Sequence, residues 1–453
     1  MDLKNFFSPR SIAVVGVSRD TNKVGHVIFR NFIDGGFQGK VFPVNPKANE
    51  ILNRKCYPSL LAIQEKIDLA IIAVPAALVL TAVNECNKKG IKDVIIVTSG
   101  FKEVGNYALD RKLEAALKKY RIRCIGPNCL GTFDAHTKLD SLFLPRYRLK
   151  RPEEGSIGFV CQSGAVGSSI LDLATEEGYK FSKFVSYGNA MIIDESDLLE
   201  YLGNDEKTKV ICLYIEGVKD GKKFLRVARE VSQRKPIIVI KGGTTHEGSK
   251  ATLSHTGSLA GSAEIYFGAF RQAGVIRAST LEEMFHFAEI LSKSILPKGS
   301  RVQVITNGGG YGILAVDAIV NNNLQLSAFG KEAKRELTSQ LPPLVNVTNP
   351  LDLAGDATTD RYKISLDACM KDRNIDIILL ITLYQTPLLT TDIVDIIVEA
   401  NDMKVKPIIV VSAGGEFTEV LRKSLDENNI PTYTFPEQAV KAIAKLVEYY
   451  GKK

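Results

Sequence analysis

The sequence predicts a layered α/β fold with parallel sheets, and three observations carry that prediction. Short apolar runs at 12–15, 69–74, 94–98, 157–161, 210–215, 236–240, 302–306, 375–381 and 407–411 are continuous rather than alternating. A strand of that kind is covered on both faces, as in parallel sheets. Longer stretches of helical character separate the runs, and strands alternating with helices build parallel layers. The chain has 453 residues, 45% of them hydrophobic and 24% charged. That is an ordinary globular balance, with enough length for two to four domains.

Taken in order, the elements fall into three domains. The first opens on the strand at 12–15 and the turn Gly16-Val17-Ser18-Arg19, followed by Lys23-Val24-Gly25. A basic, proline-containing stretch at 144–152 and the linker Leu296-Pro297-Lys298-Gly299-Ser300 mark the later breaks. The domains are placed at 1–130, 131–296 and 297–453. The second and third open alike, each as a strand, a Gly-rich turn and a helix: Gln162-Ser163-Gly164-Ala165 in one, Asn307-Gly308-Gly309-Gly310-Tyr311-Gly312 in the other.

The turns carry the chemistry. Between strand and helix, free amides and the helix dipole favour a phosphate. The first turn departs from the dinucleotide pattern G-x-G-x-x-G, because Ser18 stands at the second glycine position. The next strand leads to Asn45-Pro46-Lys47 where an NAD enzyme would hold the ribose on a carboxylate. Asn45 and Lys47 suit a nucleotide with an extra phosphate, so this domain reads as Rossmann-like but not NAD-binding. Ser163 can be a phosphate donor or simply a helix N-cap, and G-x-S-x-G fails because position 161 is cysteine. The three glycines of 308–310 allow close backbone approach or only a flexible turn. Glu216 ends a strand, where a carboxylate can hold an imidazole or merely be solvated. His255, one of five histidines, sits in Ser254-His255-Thr256-Gly257-Ser258. An imidazole among hydroxyls and free amides can accept a phosphoryl group. An exposed histidine in a Gly/Ser loop is the plainer reading of that segment alone.

Composition narrows the class. No run of some 18 apolar residues is present, and the N-terminus lacks an apolar signal core. Seven cysteines without a C-x-x-C pair point to reduced thiols in a cytoplasmic protein and against a zinc site. The net charge of +7 is spread out, which suits anionic small molecules better than nucleic acid.

Together the motifs resemble those of a known family, the alpha subunits of ADP-forming acetyl-CoA and other acyl-CoA synthetases, relatives of succinyl-CoA synthetase. The resemblance runs from Phe6-Phe7-Ser8-Pro9-Arg10 through Val44-Asn45-Pro46, Val74-Pro75-Ala76, Thr98-Ser99-Gly100-Phe101 and Gly126-Pro127-Asn128-Cys129. It continues through Gln162-Ser163-Gly164, Tyr214-Ile215-Glu216-Gly217, Ser254-His255-Thr256-Gly257, Asn307-Gly308-Gly309-Gly310 and Asn349-Pro350-Leu351-Asp352. Each motif is weak alone; their joint order is specific. The resemblance implies a CoA-binding Rossmann-like domain followed by two flavodoxin-like domains. It implies His255 as phosphocarrier, Glu216 as its steadying carboxylate, and Ser163, Gly164, Ala165, Gly309, Gly310 and Tyr311 around the phosphate. CoA contacts are expected at Gly16, Ser18, Lys23, Gly25, Asn45, Lys47, Pro75, Ser99, Gly100 and Asn128. No P-loop is present and no metal site is expected on this chain. The nucleotide chemistry, with Mg²⁺ and ADP or ATP, is expected on an ATP-grasp beta subunit in a heterotetramer of two alpha and two beta chains. A non-catalytic CoA-binding regulatory subunit is the alternative.

Overall fold

The computed structural model describes residues 2–250 and 262–451. They form two compact units, Met1–Ala278 and Ser279–Lys453.

Among its described residues the first unit holds two large sheets and a small two-stranded antiparallel one, Glu50–Ile51 with Arg54–Lys55. In the first sheet the strands run in the order Lys40–Val44, Ser11–Val15, Leu69–Ile72, Asp93–Ile96 and Arg123–Ile125, every neighbouring pair parallel. The helices Val24–Asp34, Ala76–Lys89 and Tyr107–Tyr120 are the crossovers. The second sheet runs Ile276–Arg277, Ile237–Lys241, Val210–Ile215, Glu154–Cys161, Phe181–Ser186, Gly131–Asp134 and Leu139–Asp140. It is parallel up to Phe181–Ser186; the last two strands pair antiparallel as a hairpin edge. Parallel layers are thus the rule, and the exceptions are hairpins, which need no crossover helix.

One core joins the two sheets. Ile12, Val14 and Ile71 of the first belong to the same buried cluster as Val160, Ile211 and Val239 of the second. Phe7 stacks on Tyr201 with ring centroids 4.8 Å apart. Side chains of this size contribute roughly 1.5–3 kcal/mol each when fully buried. Ion pairs hold the hairpin edge of the second sheet. Buried Asp140 accepts from Arg151 Nε at 2.9 Å and Arg146 Nη1 at 2.8 Å, and buried Lys183 lies between Asp134 and Asp205 at 3.2 and 2.9 Å.

The second unit holds one sheet in the order Gln325–Leu326, Arg301–Thr306, Ile377–Ile381, Ile408–Val411 and Thr432–Tyr433, all parallel, with Leu351–Asp352 beside Arg301–Thr306. The helix Leu281–Lys293 packs here, although sequence order placed it with the second domain. Its Glu289 accepts from the Thr432 N–H at 3.0 Å, its His286 carbonyl accepts from the Tyr433 hydroxyl at 2.8 Å, and its Lys293 pairs with Asp426. A linker-like sequence marks the end of this helix but says nothing of which core its apolar face joins.

All seven cysteines are free and buried. Among the described residues no helix is long and apolar enough to cross a membrane, and no cluster of histidine, cysteine and carboxylate side chains could hold a metal.

Candidate active site

The Gly16 turn follows the strand Ser11–Val15, and Gly16 has φ +96°. The helix Val24–Asp34 approaches it so closely that a Cβ on Gly25 would stand 2.2 Å from the Gly16 carbonyl oxygen. Glycine at 25 is therefore a packing requirement as well as a route for phosphate to the amides. Lys23 is the exposed residue preceding the helix, with no side-chain cap. Asn45 is occupied within the protein: its amide donates to the Val17 carbonyl at 2.6 Å and its oxygen accepts from the Lys47 N–H at 2.8 Å. It shapes the end of this turn, and the exposed Lys47 is what it presents to solvent.

A cavity of about 800 Å³ opens within the first unit at the ends of both sheets. Val24, Pro75, Ser99, Asn128 and Cys129 line it from the first sheet's side, and Gln162, Ser163, Gly164, Ala165, Asn189 and Glu216 from the second. Burial pushes the Cys129 thiol up to about 12, so it is a neutral group there. One wall is a closed polar network. The Glu103 carboxylate accepts from the N–H groups of Gly100 at 2.6 Å and Phe101 at 3.0 Å, and from Asn189 Nδ2 at 2.6 Å. Lys102 Nζ donates to the Asn189 carbonyl at 2.9 Å. Burial raises the Glu103 carboxyl, but the Asn189 amide and the two backbone N–H groups outweigh it and hold the acid below its usual range. Burial holds the Lys102 ammonium below its ordinary value.

The helix Gly164–Glu176 begins in this cavity. Ser163 is its N-cap, its Oγ accepting from the Val166 N–H at 3.3 Å. The first-turn N–H groups have no intrahelical acceptor and carry the positive end of the dipole. Glu216 follows the strand Val210–Ile215 and is buried. Burial, then the Glu216 charge, push the Tyr214 phenol up to about 12. A carboxylate and a helix N-terminus facing one cavity suit a group that is positive in one state and phosphorylated in another.

Seven of the sequence-predicted site residues meet at this cavity: Pro75, Ser99, Asn128, Ser163, Gly164, Ala165 and Glu216. Gly16, Ser18, Lys23, Gly25, Asn45 and Lys47 gather at the neighbouring turn; Ser18 Oγ accepts from the Asp20 N–H at 3.0 Å. The Gly100 N–H is taken by Glu103. Gly309, Gly310 and Tyr311 begin the helix Gly309–Asn321 of the second unit. His255 lies outside the described residues. Sequence reasoning missed Lys102, Glu103 and Asn189 on the cavity wall. A charged pair directly after Gly100-Phe101 was the available signal, without meaning until Asn189, 86 positions beyond Glu103, comes beside it.

Comparison with known proteins agrees with this layout. Residues 10–134 match the CoA binding domain family, 154–291 the succinyl-CoA ligase like flavodoxin domain, and 302–450 the ligase-CoA domain. That order is the architecture of a CoA ligase. An acetate–CoA ligase [ADP-forming] of Methanocaldococcus jannaschii is 43% identical over 99% of this chain and 63% of its own length. The acetate–CoA ligase [ADP-forming] II subunit alpha of Pyrococcus furiosus is 39% identical over 98% of this chain and 97% of its own. A solved acetyl-coenzyme A synthetase 1 of Ca. Korarchaeum cryptofilum, in complex with phosphate and ADP, superimposes with a TM-score of 0.93 at 38% identity, over 99% of this chain and 97% of that one. The chain belongs to the family of ADP-forming acetate–CoA ligases. It spans less than two thirds of the length of the Methanocaldococcus relative.

Proposed function

We propose that this chain is the alpha subunit of an ADP-forming acyl-CoA synthetase, interconverting acyl-CoA, phosphate and ADP with free acid, CoA and ATP. The observation that supports this most is the convergence of Glu216 and the Ser163-capped helix start on one cavity shared with Pro75, Ser99 and Asn128. CoA lies along the first sheet's strand ends, its nucleotide end near Gly16, Ser18, Lys23, Gly25, Asn45 and Lys47 and its thiol end toward Ser99, Gly100 and Asn128. A phosphate oxygen attacks the thioester carbonyl; the C–S bond breaks, CoA leaves as thiol, and acyl phosphate forms. The His255 imidazole then attacks phosphorus, the P–O bond to the acyl group breaks, and the free carboxylate leaves. Glu216 orients the ring and balances its positive charge. Ser163, Gly164 and Ala165 offset the charge on the phosphoryl group. The phosphoryl group passes to ADP on an ATP-grasp beta subunit, with Mg²⁺ accompanying the nucleotide there, in an assembly of two alpha and two beta chains. Positioning and electrostatics carry most of the catalysis.

Incubating the full chain with acetyl-CoA and radiolabelled inorganic phosphate tests this. The expected product is an acid-labile, base-stable phosphoprotein that yields ATP only when ADP and the beta subunit are added. A chain that binds CoA but acquires no label would overturn the catalytic reading in favour of a regulatory CoA-binding subunit.

A further inference from the structure

The turn that carries Glu216 is held by three side chains that the mechanism above does not use. The Glu216 N–H donates to Gln162 Oε1 at 2.7 Å, and the Gly217 N–H to the same oxygen at 3.1 Å. The Val218 N–H donates to the Tyr266 hydroxyl at 3.0 Å. The Glu216 carbonyl accepts from Lys241 Nζ at 2.8 Å, and the Gly242 carbonyl accepts from the same ammonium. That ammonium also lies over the Tyr266 ring, 4.8 Å from its centroid. Three successive N–H groups and the carbonyl of Glu216 are therefore fixed by side chains from three separate segments of the chain.

A turn at a strand end does not need this. Water satisfies the backbone of most such turns, and packing beneath one is ordinarily done by an aliphatic residue. Lys241 is instead a buried cation. Burial holds its ammonium below the ordinary lysine value, and the Glu216 charge partly restores it. Its charge is met by two carbonyl oxygens and an aromatic face, a costly arrangement unless it fixes something. What it fixes is the main chain at Glu216, with Gln162 gripping the same residue from the other side.

We infer that Lys241, Gln162 and Tyr266 form a brace that positions the Glu216 carboxylate, with Lys241 as its central member. This rests on the assignment of Glu216 to the phosphoryl-transfer step. Lys241 acts through Glu216 and is a positioning residue.

The test is a double-mutant cycle on the full chain, read as the single-turnover rate of labelling from acetyl-CoA and radiolabelled phosphate, with CoA affinity measured alongside by calorimetry. Lys241→Met is expected to slow labelling by about 10- to 100-fold, the range for partners that orient a reacting group, while CoA affinity stays within about two-fold. Added to Glu216→Gln, it should cause little further loss, because residues that act as a unit are not additive. Tyr266→Phe removes a single oxygen and is expected to show the same non-additivity with a smaller loss. It runs the same cycle if Lys241→Met does not fold. Losses that multiply in the double variants, or labelling at the wild-type rate in Lys241→Met, would overturn the brace while leaving the role of Glu216 intact. Wild-type labelling in Glu216→Gln itself would remove that role and the brace with it.

Discussion

The helix starts at Gly164 and Gly309 grow from nearly the same local sequence, a strand followed by a Gly-rich turn, yet their surroundings differ. At the first, Ser163 supplies a side-chain cap, and a Cβ on Gly164 would come only within 4.0 Å of Leu130 Cβ. At the second, the N-cap is Gly308 without a side chain, and Thr306 Oγ1 accepts from its N–H at 2.9 Å. A Cβ on Gly309 would stand 2.7 Å from Asp352 Oδ2. That carboxylate is itself held, its other oxygen accepting from the Ala354 N–H at 2.9 Å. One motif therefore uses glycine in two ways. In the first unit the small residue keeps a cavity open; in the second it makes room for a resident carboxylate at the positive end of a helix, where it is stabilising.

The sharpest break in this comparison comes from the group proposed to do the chemistry. His255→Ala should abolish labelling and the overall reaction while calorimetry still finds CoA bound. Label recovered on a peptide of the second unit would reverse the division between the two. Next in size is Glu216→Gln, which keeps the shape and removes the charge. A rate loss of roughly 10²–10⁴ is expected, as for groups that orient a catalytic imidazole, measured by single-turnover labelling. Gly164→Ala separates stability from activity. Chemical denaturation should find it neutral or stabilised by up to about 1 kcal/mol, the helix-propensity gain, while labelling slows by roughly ten-fold because a methyl group enters a reactive cavity. In Gly309→Ala the same gain meets Asp352. Here a net loss of about 1 kcal/mol is expected, as for mild overpacking, and equal stability changes in the two variants would erase the distinction. The smallest effect belongs to Lys47→Ala. CoA should bind about five-fold more weakly and dephospho-CoA almost unchanged, the scale of one exposed ionic contact; equal weakening would detach Lys47 from the ribose phosphate.

The sequence made the repeated strands legible because buried parallel strands are continuous apolar runs. Each of the nine expected runs overlaps an observed strand, Ile237–Lys241 and Ile408–Val411 among them. Phe181–Ser186 escaped because Ser182 and Lys183 interrupt it. Both are buried, and Lys183 is there only because Asp134 and Asp205 meet it. Hydropathy cannot register a charge neutralised by residues distant in the chain. The same limit applies at the site. Ser163 and Glu216 could be read locally, each from its place at a strand end. Gln162 stood in a quoted motif, yet its hold on Glu216 spans 54 positions. Asn45 shows the opposite case: a residue read as a ligand contact carries two hydrogen bonds within its own turn.

The buried thiols give the molecule a set of internal clocks. Burial raises every one of them above the ordinary cysteine value. An alkylating reagent needs both access and thiolate, and burial limits both. Labelling must then wait for a local opening, and its rate reports how often that opening happens. Cys369 keeps time for the second unit, whereas Cys56, Cys86, Cys124, Cys129, Cys161 and Cys212 keep it for the first. Cys129 lines the cavity and Cys161 hydrogen-bonds the Ser163 carbonyl at 3.0 Å. A ligand that settles in that cavity would slow those two clocks and leave Cys369 running, so the native sequence can report where a ligand binds without any introduced label.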